Sequence, residues 1–146
     1  MSRNNIHPSM ERQKTIGVLL SLILIIGMNC RLTIPLEIRA LEPKVGTEIS
    51  QQDGRLVDNT TVVPSNTKRI YYEFFLDIPE NTDVLLEFRW YRNDEIIYAY
   101  SGRFIRGYTV GFIQPQEGSL GFLAGEYKVE VWFLNTMLIN SSFQVK

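Results

Sequence analysis

Through the second half of the chain apolar and polar residues alternate one for one, the period of an extended backbone whose successive side chains point to opposite faces. In "RIYYEFFLDIPENTD", Ile70, Tyr72, Phe74 and Leu76 share one side, and Pro79 with Asn81 ends the run. The next stretch, "VLLEFRWYRND", sets Val84, Leu86, Phe88 and Trp90 on one face against Leu85, Glu87, Arg89 and Tyr91 on the other, and Asn93-Asp94 predicts a turn. "EIIYAYSGRF" returns from that turn. "YTVGFI" is a further strand in which Gly111 suggests a bulge, and "QPQEGSLGFLAG" has the composition of a loop. The chain closes on "AGEYKVEVWFLNTMLINSSFQVK", two alternating segments around a turn at Asn135-Thr136. Earlier, "LEPKVGTEISQQDGRLVDNTTVVPSNTK" clusters turn-forming residues, with short strands expected near Val45–Ser50 and Leu56–Val63. After residue 40 no segment shows the apolar period of an amphipathic helix. About seven or eight short strands with turn chemistry between them predict an all-β fold, an antiparallel β-sandwich.

The first 40 residues follow another rule. Arg12 and Lys14 precede an apolar run from Ile16 to Met28, interrupted by Ser21. Such a run suits the hydrophobic region of an export signal and falls short of the ~20 residues a spanning helix prefers. The expectation is an N-terminal hydrophobic leader helix, with residues 1–40 a signal peptide or membrane anchor plus linker and 41–146 the sandwich domain. Three fates of the leader stay open. It is cleaved, with Ile38-Arg39-Ala40 as one site. Alternatively it is kept as a short anchor with its basic flank on the cytoplasmic side. The third is lipidation at Cys30, although Asn29 departs from the small residue that precedes the cysteine of bacterial lipoproteins. Each places the body outside the cytoplasm (periplasmic, secreted or membrane-anchored), touching membrane only through the N-terminal segment.

The formal net charge is −1, and it hides a split. Residues 1–40 hold five basic and two acidic groups, whereas the remainder holds ten basic and fourteen acidic ones, a formal −4. A mildly acidic body without a basic stripe gives no reason to expect a nucleic-acid partner. Every aromatic residue lies between Tyr71 and Phe143, and the single cysteine excludes an intramolecular disulfide.

The closing segment "GEYKVEVWFLNTMLINSSFQV" resembles the final hairpin of immunoglobulin-like sandwich domains of exported bacterial proteins. The matching residues are Gly125, Tyr127, Val129-Glu130-Val131, Asn135-Thr136 and Phe143 with Val145. Trp90 resembles the core tryptophan of that fold, and Tyr127 stands where its tyrosine corner would. The resemblance implies an immunoglobulin-like antiparallel β-sandwich of about seven strands, without the disulfide pair of antibody domains. It implies architecture rather than activity.

The body lacks most catalytic side chains. His7 and Cys30 are the only histidine and cysteine, so residues 41–146 hold no Ser-His-Asp set, zinc triad, thiol nucleophile or iron–sulfur ligand set. No Gly-rich loop opens a helix to cradle a nucleotide. A carboxylate-only hydrolase stays open as an alternative, because glycosidases need two acidic groups at the right separation. Asp77, Glu80 and Asp83 crowd one loop, where turn formation is a better account than calcium binding, and no metal or other cofactor is expected.

If Tyr127, Val129, Val131 and Phe133 point inward, Lys128, Glu130, Trp132 and Leu134 point outward. In the immunoglobulin-like order this strand neighbours the Trp90 strand, so Arg89, Tyr91, Trp132 and Leu134 are expected to form one outer patch. Trp, Tyr and Arg dominate interface hot spots, and Arg stacks on aromatic rings. Two readings remain: a docking surface, or a Trp132 covered by the N-terminal connecting segment or an extra strand. The sequence therefore points to a non-catalytic exported binding or accessory module whose partner is a protein or polysaccharide of the cell envelope. A carbohydrate-binding domain is the alternative within that class.

Overall fold

The computed structural model describes residues 37–146. The leader, from Arg12 through the apolar run to Cys30, lies outside them. Eight strands follow in order: β1 (Arg39–Gly46), β2 (Val62–Val63), β3 (Ile70–Asp77), β4 (Asp83–Arg92), β5 (Glu95–Ile105), β6 (Gly107–Ile113), β7 (Gly125–Phe133) and β8 (Thr136–Val145). They form a three-stranded sheet, β1-β3-β6, and a five-stranded sheet, β2-β8-β7-β4-β5. Every pairing is antiparallel except the short β2–β8 contact. This is the all-β immunoglobulin-like sandwich that the strand pattern and the closing hairpin imply. Among the described residues no helix is long and apolar enough to cross a membrane.

The core forms where the two alternating faces meet. Ile70, Tyr72, Phe74 and Leu76 of β3 are fully buried against Leu86, Phe88 and Trp90 of β4 and Val129 and Val131 of β7. Aromatic rings link the layers: Tyr72 meets Trp90 edge-on with centroids 6.4 Å apart, and Phe74 meets Phe88 at 5.9 Å. Within the larger sheet Phe88 stacks on Tyr100 at 4.7 Å. Such contacts add about 0.5–1.5 kcal/mol each beyond the area they bury. Tyr127 is buried beside Phe143, and its hydroxyl donates to the Leu123 carbonyl at 2.8 Å, closing a tyrosine corner.

Four local expectations are corrected. The strands expected near Val45–Ser50 and Leu56–Val63 are instead β1, which begins earlier, a lone bridge between Ile49 and Leu56, and the two-residue β2. β1 escapes the sequence pattern because it is a sheet edge, where Pro43 and a register break between Leu41 and Lys44 are tolerated. Gly111 marks no bulge, since the β3–β6 register runs unbroken through Tyr72↔Gly111. The residue is small because a Cβ there would collide with the Tyr100 hydroxyl and crowd the Phe88 ring. The closing turn is Leu134-Asn135, one residue earlier than expected, with Leu134 in the left-handed region at φ 53°. Phe133, expected in the core, is only half-buried at its margin. By contrast the Asn93-Asp94 turn forms as predicted, with both residues at positive φ (49° and 66°), the geometry that matches the twist of a two-residue hairpin.

Candidate functional site

β4 and β7 lie side by side, with Tyr91 opposite Lys128, Arg89 opposite Glu130 and Glu87 opposite Trp132. Alternation therefore raises all six side chains on the outer face of the larger sheet. Glu130 is the hub. Its Oε2 accepts hydrogen bonds from the Tyr91 hydroxyl (2.8 Å) and Trp132 Nε1 (2.9 Å), and its Oε1 lies 3.0 Å from Lys128 Nζ. Glu130 as a residue is only 7% exposed. Burial acts to raise its pKa, but the bonds from Lys128, Trp132 and Tyr91 outweigh that and hold the group below the ordinary carboxylate range.

Two cation–aromatic contacts complete the arrangement. The Arg89 guanidinium lies 4.4 Å from the centre of the Trp132 ring and Lys128 Nζ lies 4.5 Å from that of Tyr91. Arg89 is itself held in a forked pair to Glu87, at 2.7 and 3.0 Å. The structure thus brings Arg89, Tyr91 and Trp132 together. Leu134 stands apart: β7 ends at Phe133, and Leu134 occupies the adjoining turn, 75% exposed. Trp132 is half-buried under Arg89. A hollow of about 440 Å³ adjoins the array, bordered by Tyr91, Asp94, Lys128 and Ser142. Glu130 escaped notice as a site residue because alternation assigns it an outward position without saying that three donors converge there.

The acidic loop has a different use. Arg106 reaches Asp77 at 3.1 Å and Glu80 at 3.6 Å, and Arg103 reaches Asp83 at 2.7 Å, so each carboxylate faces an arginine. Among the described residues no group of three or more His, Cys, Asp or Glu side chains converges on a point that could hold a metal ion.

Two further features are illegible in the sequence. Glu73, on β3, is fully buried on the outer side of the smaller sheet beneath the segment that joins β1 to β2. Arg55 grips it with two 2.9 Å bonds, and the Leu56 amide donates to it at 2.7 Å. Arg55 also lies over the Tyr108 ring. The second feature is a cleft of about 980 Å³ between β5, β6 and the loop that follows β6, lined by Tyr98, Tyr100, Phe104, Phe112 and Phe122 among others. Only residues out of character with their surroundings could have signalled these: a charged Glu73 between Tyr72 and Phe74, and a β5 with apolar residues on both faces.

No protein-family model matches the chain, and no curated protein matches it in sequence. In structure it is similar to an immunoglobulin-like protein from Pseudomonas aeruginosa, with a TM-score of 0.57 and 16% identity, over 75% of this chain and 97% of that one. Looser likenesses are to an alkylpurine DNA glycosylase from Pseudomonas fluorescens (TM-score 0.46, 12% identity, 75% of this chain and 30% of that one) and a CARDB domain from Pyrococcus furiosus (TM-score 0.41, 14% identity, 76% and 92%). Those two are too loose to carry conclusions about this chain. The first, together with the strand order, establishes the fold alone: the described body is an immunoglobulin-like β-sandwich.

Proposed function

We propose that the protein is a non-catalytic, exported binding or accessory module of the cell envelope that docks a partner on the outer face of its larger sheet. One observation carries this reading: Arg89, Tyr91, Trp132 and Lys128 are stacked and hydrogen-bonded around Glu130 before any partner arrives. Long side chains cost about 0.5–1.5 kcal/mol each to immobilise at an interface, and here that ordering is already done. The residue types are those that supply most of the binding energy in protein interfaces. Leu134, exposed on the adjoining turn, lies outside this array.

The test is retention of an envelope component from membrane and periplasmic fractions by the wild-type chain and by Trp132→Ser. The substitution should abolish specific retention while the melting temperature falls only slightly, because Glu130 keeps Lys128 and Tyr91. Unfolding as severe as that of Phe88→Ala would make Trp132 a stabilising element and sink the docking surface. The carbohydrate reading draws support from the aromatic faces and the adjoining hollow, and retention by envelope polysaccharide rather than protein would select it.

A further inference from the structure

Five strands face three across the core, and the excess shows at β5. Tyr98 lies opposite Trp90 and shares its inward face, yet it is 49% exposed, and Tyr100 and Phe104 are only half-buried. Beneath them β6 pairs with β3 along one edge, and among the described residues no strand pairs with the other. Val110, Gly111, Phe112 and Ile113 all border the cleft that Tyr98, Tyr100 and Phe104 overhang. Consecutive strand residues point to opposite faces, so a cleft that touches four in a row is bordered by the backbone edge itself.

That edge lacks the usual protection. β1 carries Pro43 and a register break, β2 has two residues, and β5 has a register break beside Trp90. β6, "GYTVGFI", has no proline, no charge and no register break. Among the residues lining the cleft only Arg92 and Glu117 are charged, with opposite signs.

We propose that this flank accepts an extended, uncharged segment of a partner polypeptide, which adds to β6 as a fourth strand and turns alternate apolar side chains onto Tyr98, Tyr100 and Phe104. An extended chain supplies both things the site lacks: backbone donors and acceptors for the β6 edge, and side chains on alternate positions for the cleft. A second copy pairing through its own β6 would keep Thr109, Gly111 and Ile113 in its own core and leave both clefts unfilled. The site is separate from the Trp132 face, so either can fail without the other.

The full-length chain is titrated with a lysine-flanked alternating Val-Thr peptide and with the same peptide carrying proline at alternate central positions. Amide hydrogen exchange is followed across β6. The first peptide should slow exchange in Tyr108–Phe112 by roughly tenfold or more, and the second should not. Tyr98→Lys should remove that protection with little change in melting temperature, because the ring is half-exposed. Unchanged β6 exchange at millimolar peptide overturns the proposal, as does equal protection by both peptides. Protection that grows with protein concentration alone makes a second copy the occupant and likewise overturns it.

Discussion

Glu73 shows how much one buried charge can organise. Its side chain has no solvent contact, and Arg55, Lys44 and the Leu56 amide surround it. Burial acts to raise its pKa, but hydrogen bonds from Arg55 and Leu56 prevail and hold the carboxyl below its ordinary value. Breaking such a pair leaves an uncompensated partner and costs about 3–5 kcal/mol, whereas replacing both members by apolar residues is often neutral. Glu73→Ala should therefore lose about 3–5 kcal/mol in urea unfolding, and Glu73→Leu with Arg55→Met much less. The pH dependence has a definite sign. A depressed carboxylate contributes its full stability above the unfolded pKa, near 4.5, and loses it as pH falls through the folded value. Melting temperature should drop as pH is lowered below about 5, and Glu73→Gln should flatten that drop. Glu130, shifted the same way, contributes to the slope that remains, together with the more exposed Asp53, Asp83 and Glu87.

At the scale of elements, the contact between β5 and β6 is set by one glycine and one tyrosine. Tyr100 stacks on Phe88 with its ring planes 8° apart, and its hydroxyl fills the space that a side chain at position 111 would need. Gly111→Ala should destabilise by about 1–3 kcal/mol, the usual cost of overpacking. Tyr100→Phe in the same chain should restore part of that loss, because the colliding atom is the hydroxyl oxygen. Additive losses in the double mutant, read by chemical denaturation, would show that the Phe88 ring rather than the hydroxyl resists the methyl group. The alternation in β3, β4 and β7 was legible because one apolar face of each strand meets the other sheet, although Glu73 and Glu130 are buried on the outer faces as well. β5 was legible as a strand but not as a flank, since periodicity cannot tell which sheet edge lacks a neighbour.

For the whole molecule, the sandwich is acidic and carries an apolar, unprotected edge, whereas the leader is basic and apolar. Export is the proposal that joins these parts. Residues 1–45 fused to a reporter active only outside the cytoplasm should give signal, and Leu24→Arg should abolish it. A charge at the middle of an inserting apolar run costs about 2.5–3.5 kcal/mol. Cytoplasmic retention of the native protein would refute export. Loss of membrane association in Cys30→Ser would select lipidation among the three fates.

What the sequence determined by itself is whatever depends on neighbours along the chain. Alternation set the inward faces of β3 and β4, Asn93-Asp94 set a hairpin, and the resemblance of the closing segment implied the corner at Tyr127. Alternation also turned Arg89, Tyr91 and Trp132 outward on their strands, and the immunoglobulin-like resemblance implied that those two strands are neighbours. Tertiary structure decided what depends on distant residues meeting. The carboxylate of Glu73 finds Arg55 only because the segment between β1 and β2 folds back over β3, and Glu130 becomes a hub only because β4 brings Tyr91 beside it. The open flank arises from a mismatch between five strands and three, a property of two assembled sheets that no single strand carries. Leu134 left the patch for the same reason: the β7–β8 pairing, with its shift between Val131 and Trp132, fixed where the turn would fall.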